Sequence, residues 1–459
     1  MTPMASRRAF LTTVGAGAAG VSLAGTDPVR AQTPDSAPPS AAWSRRYATG
    51  HSSRLLTLVP VDDGYVLGGV AGRHDDLRGL AVRTDARGRT RWRRTYGTVK
   101  SGVAAGAPHP DGGFVLGGAT NLDDSSPFTE PSLSADPWVL RVDAAGDVVW
   151  TRTLQPAAAT GRIETLVRAG DGYLVGGRRR ESRETRPRPW VARLSPAGHR
   201  RWATTLGDTE AQGAVNATSA DGDAWYVGGS TAPAEGEQAG ESETATVTRL
   251  DSDGTVQWRY RVDAPKGSRI EGLHADGEGV VCVGNRGFAT DDDGQGWHLR
   301  LDAAGERAWQ RTHSTGPWNW LNGLVSLEDG YLLVGTREET PEGDESNGPR
   351  GAWVVRTGPR GRTRWETTYF DDGWSGGNAL HPVDGDGSEF LVAGWTEVEN
   401  GESAWLLNAG GETVDTGSEI THRISNLAAA VPPDADAVGL GVLLGAGAVT
   451  LRRRLRGGE

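Results

Sequence analysis

One nine-residue pattern recurs along the chain, and this repeat constrains the fold more than any other feature. Its six copies read TDARGRTRW, VDAAGDVVW, LSPAGHRRW, LDSDGTVQW, LDAAGERAW and TGPRGRTRW, each with a Trp four residues after a Gly. With the Trp of AWSRRYA near the N-terminus, the series of tryptophans has intervals of 49 to 58 residues: Trp43, Trp92, Trp150, Trp202, Trp258, Trp309 and Trp365. Intervals of this length are typical of stacked supersecondary units.

A second pattern, an apolar run that ends in Gly and in six copies begins with an aromatic residue, occurs seven times. The copies read YVLGG, FVLGG, YLVGG, WYVGG, VVCVG, YLLVG and FLVAG, and they end at Gly69, Gly118, Gly177, Gly229, Gly284, Gly335 and Gly394. Asp-Gly or Gly-Asp pairs usually precede the run, which is the chemistry of a tight hairpin turn. The run therefore indicates a strand that follows a turn.

The two patterns assemble into a unit of about 50 residues with four antiparallel strands. The aromatic run is its second strand, a segment such as WVARL its third, and the Trp lies on its fourth. Asp caps the turn before the fourth strand, and Gly supplies the positive φ that such a turn needs. We expect each Trp to pack between neighbouring units as part of the core. Four strands at this period predict a β-propeller blade rather than a helical solenoid.

The two ends of the repeat predict how the ring closes. In the seventh unit Asn408 and Gly411 reproduce the turn, but Asp415 stands where the Trp should follow. An isolated copy of the fourth strand, with Trp43, lies at the N-terminal end instead. We therefore predict an all-β, seven-bladed β-propeller over residues 33–420, in which the N-terminal strand completes the last blade and leaves no open edge.

This region resembles a large group of propeller proteins of archaea and bacteria, few of which have an assigned activity. The shared features are the DGGYxLxG-like run and the WLxKxDxxGxxxW-like segment, seen here as YVLGG and as WVARL followed by LSPAGHRRW. The chain is more distantly similar to WD40 and quinoprotein-type (PQQ-like) repeats. The quinoprotein turn has one more residue between Asp and Gly than the Asp-x-x-Gly spacing found here.

The segments outside the repeat predict where in the cell the protein is located. Residues 1–32 contain Arg7 and Arg8 before an apolar stretch and resemble a twin-arginine signal peptide. After a linker at 421–436, residues 437–451 form a short apolar segment, followed by the basic tail 452–459, which we expect to be cytoplasmic. These features predict export and anchoring at the outer face of the cell membrane, although the tail also resembles those that sorting enzymes remove.

Charge and cysteine content restrict the classes of function. The formal net charge is −11, and Lys100 and Lys266 are the only lysines, which argues against nucleic acid as a partner. An acidic surface with so little Lys resembles the proteins of halophiles. Cys282 is the single cysteine, so no disulfide within the chain can form and stability must come from packing.

Candidate binding residues lie outside the repeat positions. Trp318, Trp320 and Trp374 fall in the connections that should open on one face of the propeller, where aromatic rings can stack on a sugar or peptide or pack against a neighbouring loop. Long, unequal connections such as NLDDSSPFTEPSLSADP belong to the same face. We therefore expect this face to be the one that binds.

Other motifs are weaker candidates. Acidic turns suggest calcium ligands, although neither completes a twelve-residue calcium loop and turn chemistry explains them as well: Asp291, Asp293, Asp384 and Asp386. Asn216-Ala217-Thr218 is an N-glycosylation sequon. The GWSGG stretch around Ser375 matches a hydrolase pattern, but it falls where a first strand begins rather than at a strand-to-helix elbow.

The sequence thus favours a binding or interaction module at the cell surface, with a cell-envelope protein or glycan as partner. No converging catalytic set is evident. The alternative is a quinone-type oxidoreductase or a glycan-acting enzyme whose site lies in the propeller funnel, and a purely structural envelope role is a third. No cofactor is evident from the sequence, and calcium and PQQ are the two cofactors that it leaves as alternatives.

Overall fold

The computed structural model describes residues 37–413, with gaps at 48–49, 74, 99, 123–134, 155–158, 183–184, 208–211, 233–242, 263–266, 288–293, 314–317, 340–347 and 400, together with residues 425–428. These residues form 29 strands grouped into seven sheets. The all-β, seven-bladed propeller predicted from the repeat is confirmed.

Each blade is an antiparallel meander whose first strand faces the centre of the ring. Blade 1 contains β2 (Ser53–Val61), β3 (Gly64–Ala71), β4 (Arg78–Asp85) and β5 (Thr90–Tyr96). Blade 2 contains β6 (Gly102–Pro108), β7 (Phe114–Thr120), β8 (Asp136–Val142) and β9 (Val148–Thr153). Blade 3 contains β10 (Thr160–Ala169), β11 (Gly172–Arg180), β12 (Arg188–Leu194) and β13 (Arg200–Thr205).

The remaining blades follow the same order. Blade 4 contains β14 (Gln212–Asp221), β15 (Ala224–Ala232), β16 (Thr244–Leu250) and β17 (Val256–Arg261). Blade 5 contains β18 (Ser268–Ala275), β19 (Gly279–Arg286), β20 (Gln295–Asp302) and β21 (Arg307–His313). Blade 6 contains β22 (Asn319–Leu327), β23 (Gly330–Glu338), β24 (Arg350–Thr357) and β25 (Thr363–Phe370). Blade 7 contains β26 (Ser375–Pro382), β27 (Phe390–Val398) and β28 (Gly401–Ala409), and its fourth strand is β1 (Ala41–Arg46).

The ring closes through the N-terminal strand. β1 pairs antiparallel with β28, with Trp43 opposite Asn408, and the first strand of blade 7 lies against the first strand of blade 1. The turn predicted at Asn408 and Gly411 is wrong, because the positive φ belongs to Gly410 and the Asn408 amide donates to Glu389 Oε1 at 2.9 Å. Among the described residues, the strand that pairs with the outer edge of β28 is β1.

The last Gly of the aromatic run lies opposite a bulge in the first strand. In blade 2 the register of β6 and β7 shifts between Val103 and Ala105, and a Cβ added to Gly118 would collide with the backbone carbonyl of Gly102. All seven first strands carry a bulge at the equivalent position. Glycine is therefore needed at this position to leave room for a carbonyl.

The Asp-x-x-Gly turns have the predicted chemistry. In blade 2 the Asp143 carboxylate accepts hydrogen bonds from the backbone N–H groups of Ala145 and Asp147, both at 2.9 Å. Gly146 has a φ of 86°, which a side chain would make unfavourable. The Asp side chain thus satisfies backbone N–H groups of the turn, and the glycine permits its positive φ.

Six of the seven repeat tryptophans lie on the Asp-x-x-Gly turn or its equivalent in the next blade, whereas Trp365 stacks on Phe390 of blade 7. Trp92 Nε1 donates to Ala144 O at 2.9 Å, and a Cβ on Gly146 would lie 3.2 Å from the Trp92 ring. Trp43 and Trp365 are buried, whereas the other five are half-buried: Trp92, Trp150, Trp202, Trp258 and Trp309. The expectation that all of them belong to the core is therefore too strong, since most also form part of the outer rim.

A second set of tryptophans forms the deeper core. They lie on the third strands and are at most 5% exposed: Trp138, Trp190, Trp297, Trp353 and Trp405. Each pairs with the bulge-facing Gly of the neighbouring second strand, as Trp353 does with Gly335. The absent side chain leaves the indole room on the sheet surface.

Arginines on the third and fourth strands hold the turn between the first two strands in place. In blade 3, Arg193 Nη2 lies 3.0 Å from Asp171 Oδ1 and Arg201 Nη1 lies 2.7 Å from the same atom. The same arrangement holds Asp63 with Arg83 and Arg91, Asp276 with Arg300, and Asp329 with Arg356 and Arg364. These pairs rigidify the face that carries the tight turns.

A short strand, β29 (Ser425–Ala428), adds a fifth strand to blade 6. It pairs antiparallel with β25, from Ser425 opposite Phe370 to Ala428 opposite Thr367. The segment 421–436, predicted as a linker, thus contains a strand. β25 runs from the face that carries the tight turns towards the face that carries the long connections, so β29 runs back towards the tight turns.

Candidate binding face and central channel

The two faces of the propeller differ in what they carry. In a meander the first and third strands run the same way, so both begin at one face, which we name the loop face. The opposite face, the turn face, carries the Asp-Gly and Asp-x-x-Gly turns. Several long connections predicted to bind, including most of NLDDSSPFTEPSLSADP, lie outside the described residues.

The structure brings the three candidate tryptophans together at the loop face of blades 6 and 7. Trp318 and Trp374 precede the first strands of these blades at equivalent positions, since their carbonyls accept hydrogen bonds from the N–H groups of Glu338 and Glu397. The rings of Trp318 and Trp320 stack with centroids 5.9 Å apart and planes 11° apart. All three tryptophans are half-buried, so each keeps some surface available for contact.

An arginine that the sequence analysis did not identify joins these rings. Arg350 begins β24, and its guanidinium carbon lies 5.1 Å from the Trp318 ring centroid and 4.8 Å from that of Trp374. Such cation–π contacts are worth about 0.5–2 kcal/mol each. We name Trp318, Trp320, Trp374 and Arg350 the aromatic cluster.

A buried carboxylate holds Arg350 in place. Arg350 Nε donates to Glu338 Oε2 at 3.1 Å, and the Glu338 side chain is only 3% exposed. Because the ion pair satisfies one edge of the guanidinium, the cluster offers aromatic surface and N–H donors with little net charge. The signal that sequence reasoning could have used is the Arg in GPRGAW, which opens a third strand directly beside the loop face.

A second cation–π contact continues the cluster towards blade 1. The guanidinium carbon of Arg54 lies 4.8 Å from the Trp395 ring centroid, and Arg54 Nε and Nη2 donate to the two Glu402 carboxylate oxygens at 2.9 and 2.5 Å. This bidentate pair is a strong, directional arrangement. Aromatic rings and paired arginines therefore extend over the loop face from blade 6 to blade 1.

The mouth of the central channel carries a separate charged group. Glu164, at the bulge of β10, pairs with Arg162 and with Arg178, whose Nε lies 3.2 Å from Glu164 Oε1. Burial alone would raise the pKa of Glu164, but the two arginines hold it below the usual value. Arg269 Nη2 pairs with Glu243 Oε2 at 3.0 Å. Glu164 is thus compensated by two arginines, whereas Arg269 is shared between Glu243 and Glu271.

The sequon asparagine lies inside the channel. Asn216 occupies the bulge of β14, and its Nδ2 donates to Ile270 O of the next blade at 3.0 Å. In the folded chain this amide nitrogen is therefore engaged in a contact between blades. Glycosylation of Asn216 stays a prediction, and a glycan there would replace this hydrogen bond.

The acidic candidates divide between described and undescribed residues. Asp291 and Asp293 lie outside the described residues. Asp384 and Asp386 lie in the turn between β26 and β27, where Asp384 Oδ2 accepts hydrogen bonds from Ser388 Oγ at 2.6 Å and from Glu389 N at 2.9 Å. Within the described part of the chain, no group of three or more His, Cys, Asp or Glu side chains is arranged to hold a metal ion.

The GWSGG serine serves the local fold. Ser375 begins β26, where its hydroxyl donates to Gly373 O at 3.2 Å and contacts Thr396 Oγ1 at 3.2 Å. His381 lies at the other end of the same strand, with its ring against Tyr65. The two side chains therefore do not form a nucleophile and base pair.

Comparisons with known proteins concern the fold. No known family model matches the chain, and no curated protein sequence matches it. Sqt1 of Chaetomium thermophilum is 11% identical, with a TM-score of 0.45 over 80% of this chain and 97% of that chain. The WD40 β-propeller domain of Doa1 is 11% identical, with a TM-score of 0.43 over 80% and 96%. Drosophila Plexin A, solved in complex with Semaphorin 1b, is 6% identical, with a TM-score of 0.43 over 81% and 87%.

The segments predicted to give the cellular address are not part of the described structure. Residues 1–32 and 437–459 lie outside it. Among the residues that are described, no helix is long and apolar enough to cross a membrane.

Proposed function

We propose that this chain is a binding module that is exported by the twin-arginine route and held at the outer face of the cell membrane by residues 437–451. Its contact surface is the aromatic cluster on the loop face of blades 6 and 7, and its partner is a protein or glycan of the cell envelope. The observation that carries this proposal is the convergence of Trp318, Trp374 and Arg350, which the repeat does not require.

The chemistry of the cluster suits recognition. Trp and Arg are the residues that most often dominate binding energy at protein interfaces, and indole rings also stack on sugars. The cluster is rigid, because Glu338 fixes Arg350 and backbone hydrogen bonds fix both Trp318 and Trp374. A rigid aromatic surface loses little conformational entropy when a partner binds.

The path of the chain supports an outward orientation of this surface. β29 runs towards the turn face, and the predicted anchor begins nine residues after Ala428. An anchor that leaves on that side would place the turn face near the membrane. The loop face, with the aromatic cluster, would then point away from the cell.

Photo-crosslinking in the source cells tests this proposal. We would place a benzophenone amino acid at position 374 and, as the matched control, at position 149, since Val149 is 51% exposed on the outer strand of blade 2. We expect a discrete adduct from position 374 and none from position 149. Equal labelling from both positions, or no adduct from position 374, would contradict the proposal.

Substitutions measure the contribution of the aromatic rings. The pair Trp318→Ser and Trp374→Ser should weaken binding to isolated envelope by tenfold or more, because hot-spot residues of this type contribute about 2 kcal/mol or more. Val149→Ser is the control and should bind as the parent does. Circular dichroism must show that both proteins keep their strands, since half-buried tryptophans also contribute to stability.

The enzymatic alternative, a quinone-type oxidoreductase or a glycan-acting enzyme with its site in the funnel, is not favoured by any observation on the described residues. We therefore propose the binding function alone.

A further inference from the structure

A cavity of about 210 Å³ lies at the centre of the ring, below the charged mouth. Its lining comes from the first strands of blades 3 to 7, chiefly from the bulges and the residues that follow them. Such a volume suits a small organic molecule of a few heavy atoms. What it can bind depends on which polar atoms the lining offers.

Three asparagines at the bulges offer hydrogen-bond acceptors. Nδ2 of Asn216, Asn322 and Asn378 donates to a carbonyl of the next blade, at 3.0, 2.9 and 2.7 Å respectively. A carbonyl only accepts, so the NH₂ end of each amide is fixed on it. The Oδ1 atoms are thus left for the cavity, and within the described chain no group donates to them.

A carboxylate at the bulge of blade 5 completes the set. Glu271 lines the same cavity, and no described residue gives it a hydrogen bond. Its nearest cation is Arg269, whose Nε lies 3.7 Å from Glu271 Oε1 and whose Nη2 pairs more closely with Glu243. Glu271 is therefore an acceptor whose charge is only partly compensated.

The floor of the cavity is mostly apolar. Two residues after the bulges of blades 5 to 7, Leu273, Leu324 and Leu380 line it, whereas blades 3 and 4 contribute the hydroxyls of Thr165 and Thr218, which lie 2.9 Å apart. The cavity thus has hydrogen-bond acceptors towards the loop face and mostly hydrocarbon towards the turn face. A metal ion would need oxygen ligands on several sides, which this floor does not supply.

We propose that the central channel is a binding site for a small organic cation that carries an alkylammonium or alkylguanidinium group. The N–H donors of the cation would bind the Oδ1 atoms of Asn322 and Asn378 and the carboxylate of Glu271, and its hydrocarbon part would lie on the leucines. An excess of acceptors over donors favours a ligand rich in N–H groups, and a partly compensated carboxylate favours a positive one. This site is distinct from the loop-face cluster, and the inference does not rest on the proposed function.

The charges around Glu271 predict a pH signature. The pKa of Glu271 is raised to about 7, chiefly by burial and also by Glu243 and Glu164, against the opposing effect of Arg269 and Arg178. A bound cation would take the place of the proton. Affinity should therefore rise as pH increases towards and past 7 and then level off, with about a tenfold gain between pH 6 and pH 8.

Calorimetric titration of the full chain with n-butylammonium chloride tests the proposal. We expect binding of one equivalent with the pH dependence given above, and no binding of n-butanol, which has the same hydrocarbon part without the charge. Saturation by calcium chloride without any by n-butylammonium would overturn the proposal in favour of a metal site. Equal binding of n-butanol would overturn it in favour of a purely apolar pocket.

Two matched variants identify the carboxylate. Glu271→Gln keeps the shape of the side chain and should lower affinity at least tenfold and abolish the pH dependence. Glu278→Gln, on the turn face with a side chain 89% exposed, should bind as the parent does. An unchanged thermal midpoint would show that E271Q is folded. Parental affinity in folded E271Q would overturn the proposal.

Discussion

At the scale of single residues, the glycines of the repeat meet two different physical requirements. Those of the Asp-x-x-Gly turns, such as Gly146, adopt a positive φ that other residues reach only with strain. Those that end the aromatic run, such as Gly118, have ordinary backbone angles but face a carbonyl of the bulged first strand. The same residue type is thus required by conformation at one position and by space at the other.

Gly118→Ala tests the second requirement. The new methyl group would overlap Gly102 O, so the bulge of β6 must move, and overpacking of this kind costs about 1–3 kcal/mol. We expect a lower midpoint of thermal and urea unfolding. The control is Gly358→Ala, where the nearest atom to the added methyl is Arg364 Nε at 3.5 Å and stability should change by less than about 0.5 kcal/mol. Equal effects of the two substitutions would contradict the account.

At the scale of elements, the second strands, the turns and the fourth strands could be predicted from the sequence, because each has a recurring sequence pattern. The first strands could not be predicted in this way, because their sequences differ from blade to blade. Their shared feature is a bulge opposite the Gly of the neighbouring strand. No particular residue type marks this bulge in the sequence. The residues at these bulges line the channel, so Glu271 and Asn322 could not be recognised as neighbours beforehand.

The same difference, between residues that a sequence pattern marks and residues that only tertiary contacts bring together, explains what could be predicted of the loop face. Trp318, Trp320 and Trp374 were predictable as residues left over from the repeat. Arg350 was not, because an Arg at the start of a third strand is common in so Arg-rich a chain, and its contact with rings from two blades is a tertiary property. The strand β29 was missed for a similar reason, since only four residues of the C-terminal segment pair with β25.

The strands β20 and β21 share a buried histidine pair that makes stability depend on pH. His313 Nε2 lies 2.8 Å from His298 Nδ1, and both side chains are buried beside Trp309 and Trp353. Burial lowers the pKa of His313 to about 4 and that of His298 well below its usual value. Both therefore stay neutral in the folded chain at neutral pH.

The sign of the pH dependence follows from these directions. Between about pH 4 and the unfolded value near 6.5, the unfolded chain binds more protons than the folded one, so stability falls as pH falls through this window. For His313 the loss amounts to about 3 kcal/mol. Urea unfolding midpoints measured from pH 4 to 7.5 should show this loss of stability. In the double variant His298→Gln and His313→Gln the midpoint should change less steeply with pH. Identical slopes would contradict the role of the pair.

At the scale of the whole molecule, closure of the ring determines every surface described above. The N-terminal strand supplies the outer edge of blade 7, and Trp43 lies on the blade 1 turn at Gly88, as five of the other six repeat tryptophans do on the turns that follow them. Closure fixes the channel between opposite blades and sets all loop connections on one face. The binding face and the channel site both depend on it.

Hydrogen exchange of the full chain, followed by mass spectrometry, tests this closure most directly. Because β1 is the outer strand of blade 7, only its N–H groups that face β28 are protected: Tyr47 N donates to Ala404 O at 2.8 Å, and strand alternation adds Trp43 and Arg45. Strand pairing predicts that these amides exchange slowly, and that those of Ser44 and Arg46 exchange faster. It also predicts that deletion of residues 1–47 accelerates exchange in β28 first. Fast exchange of Trp43, Arg45 and Tyr47 in the intact chain, or slow exchange of β28 without β1, would contradict a ring closed by the N-terminal strand.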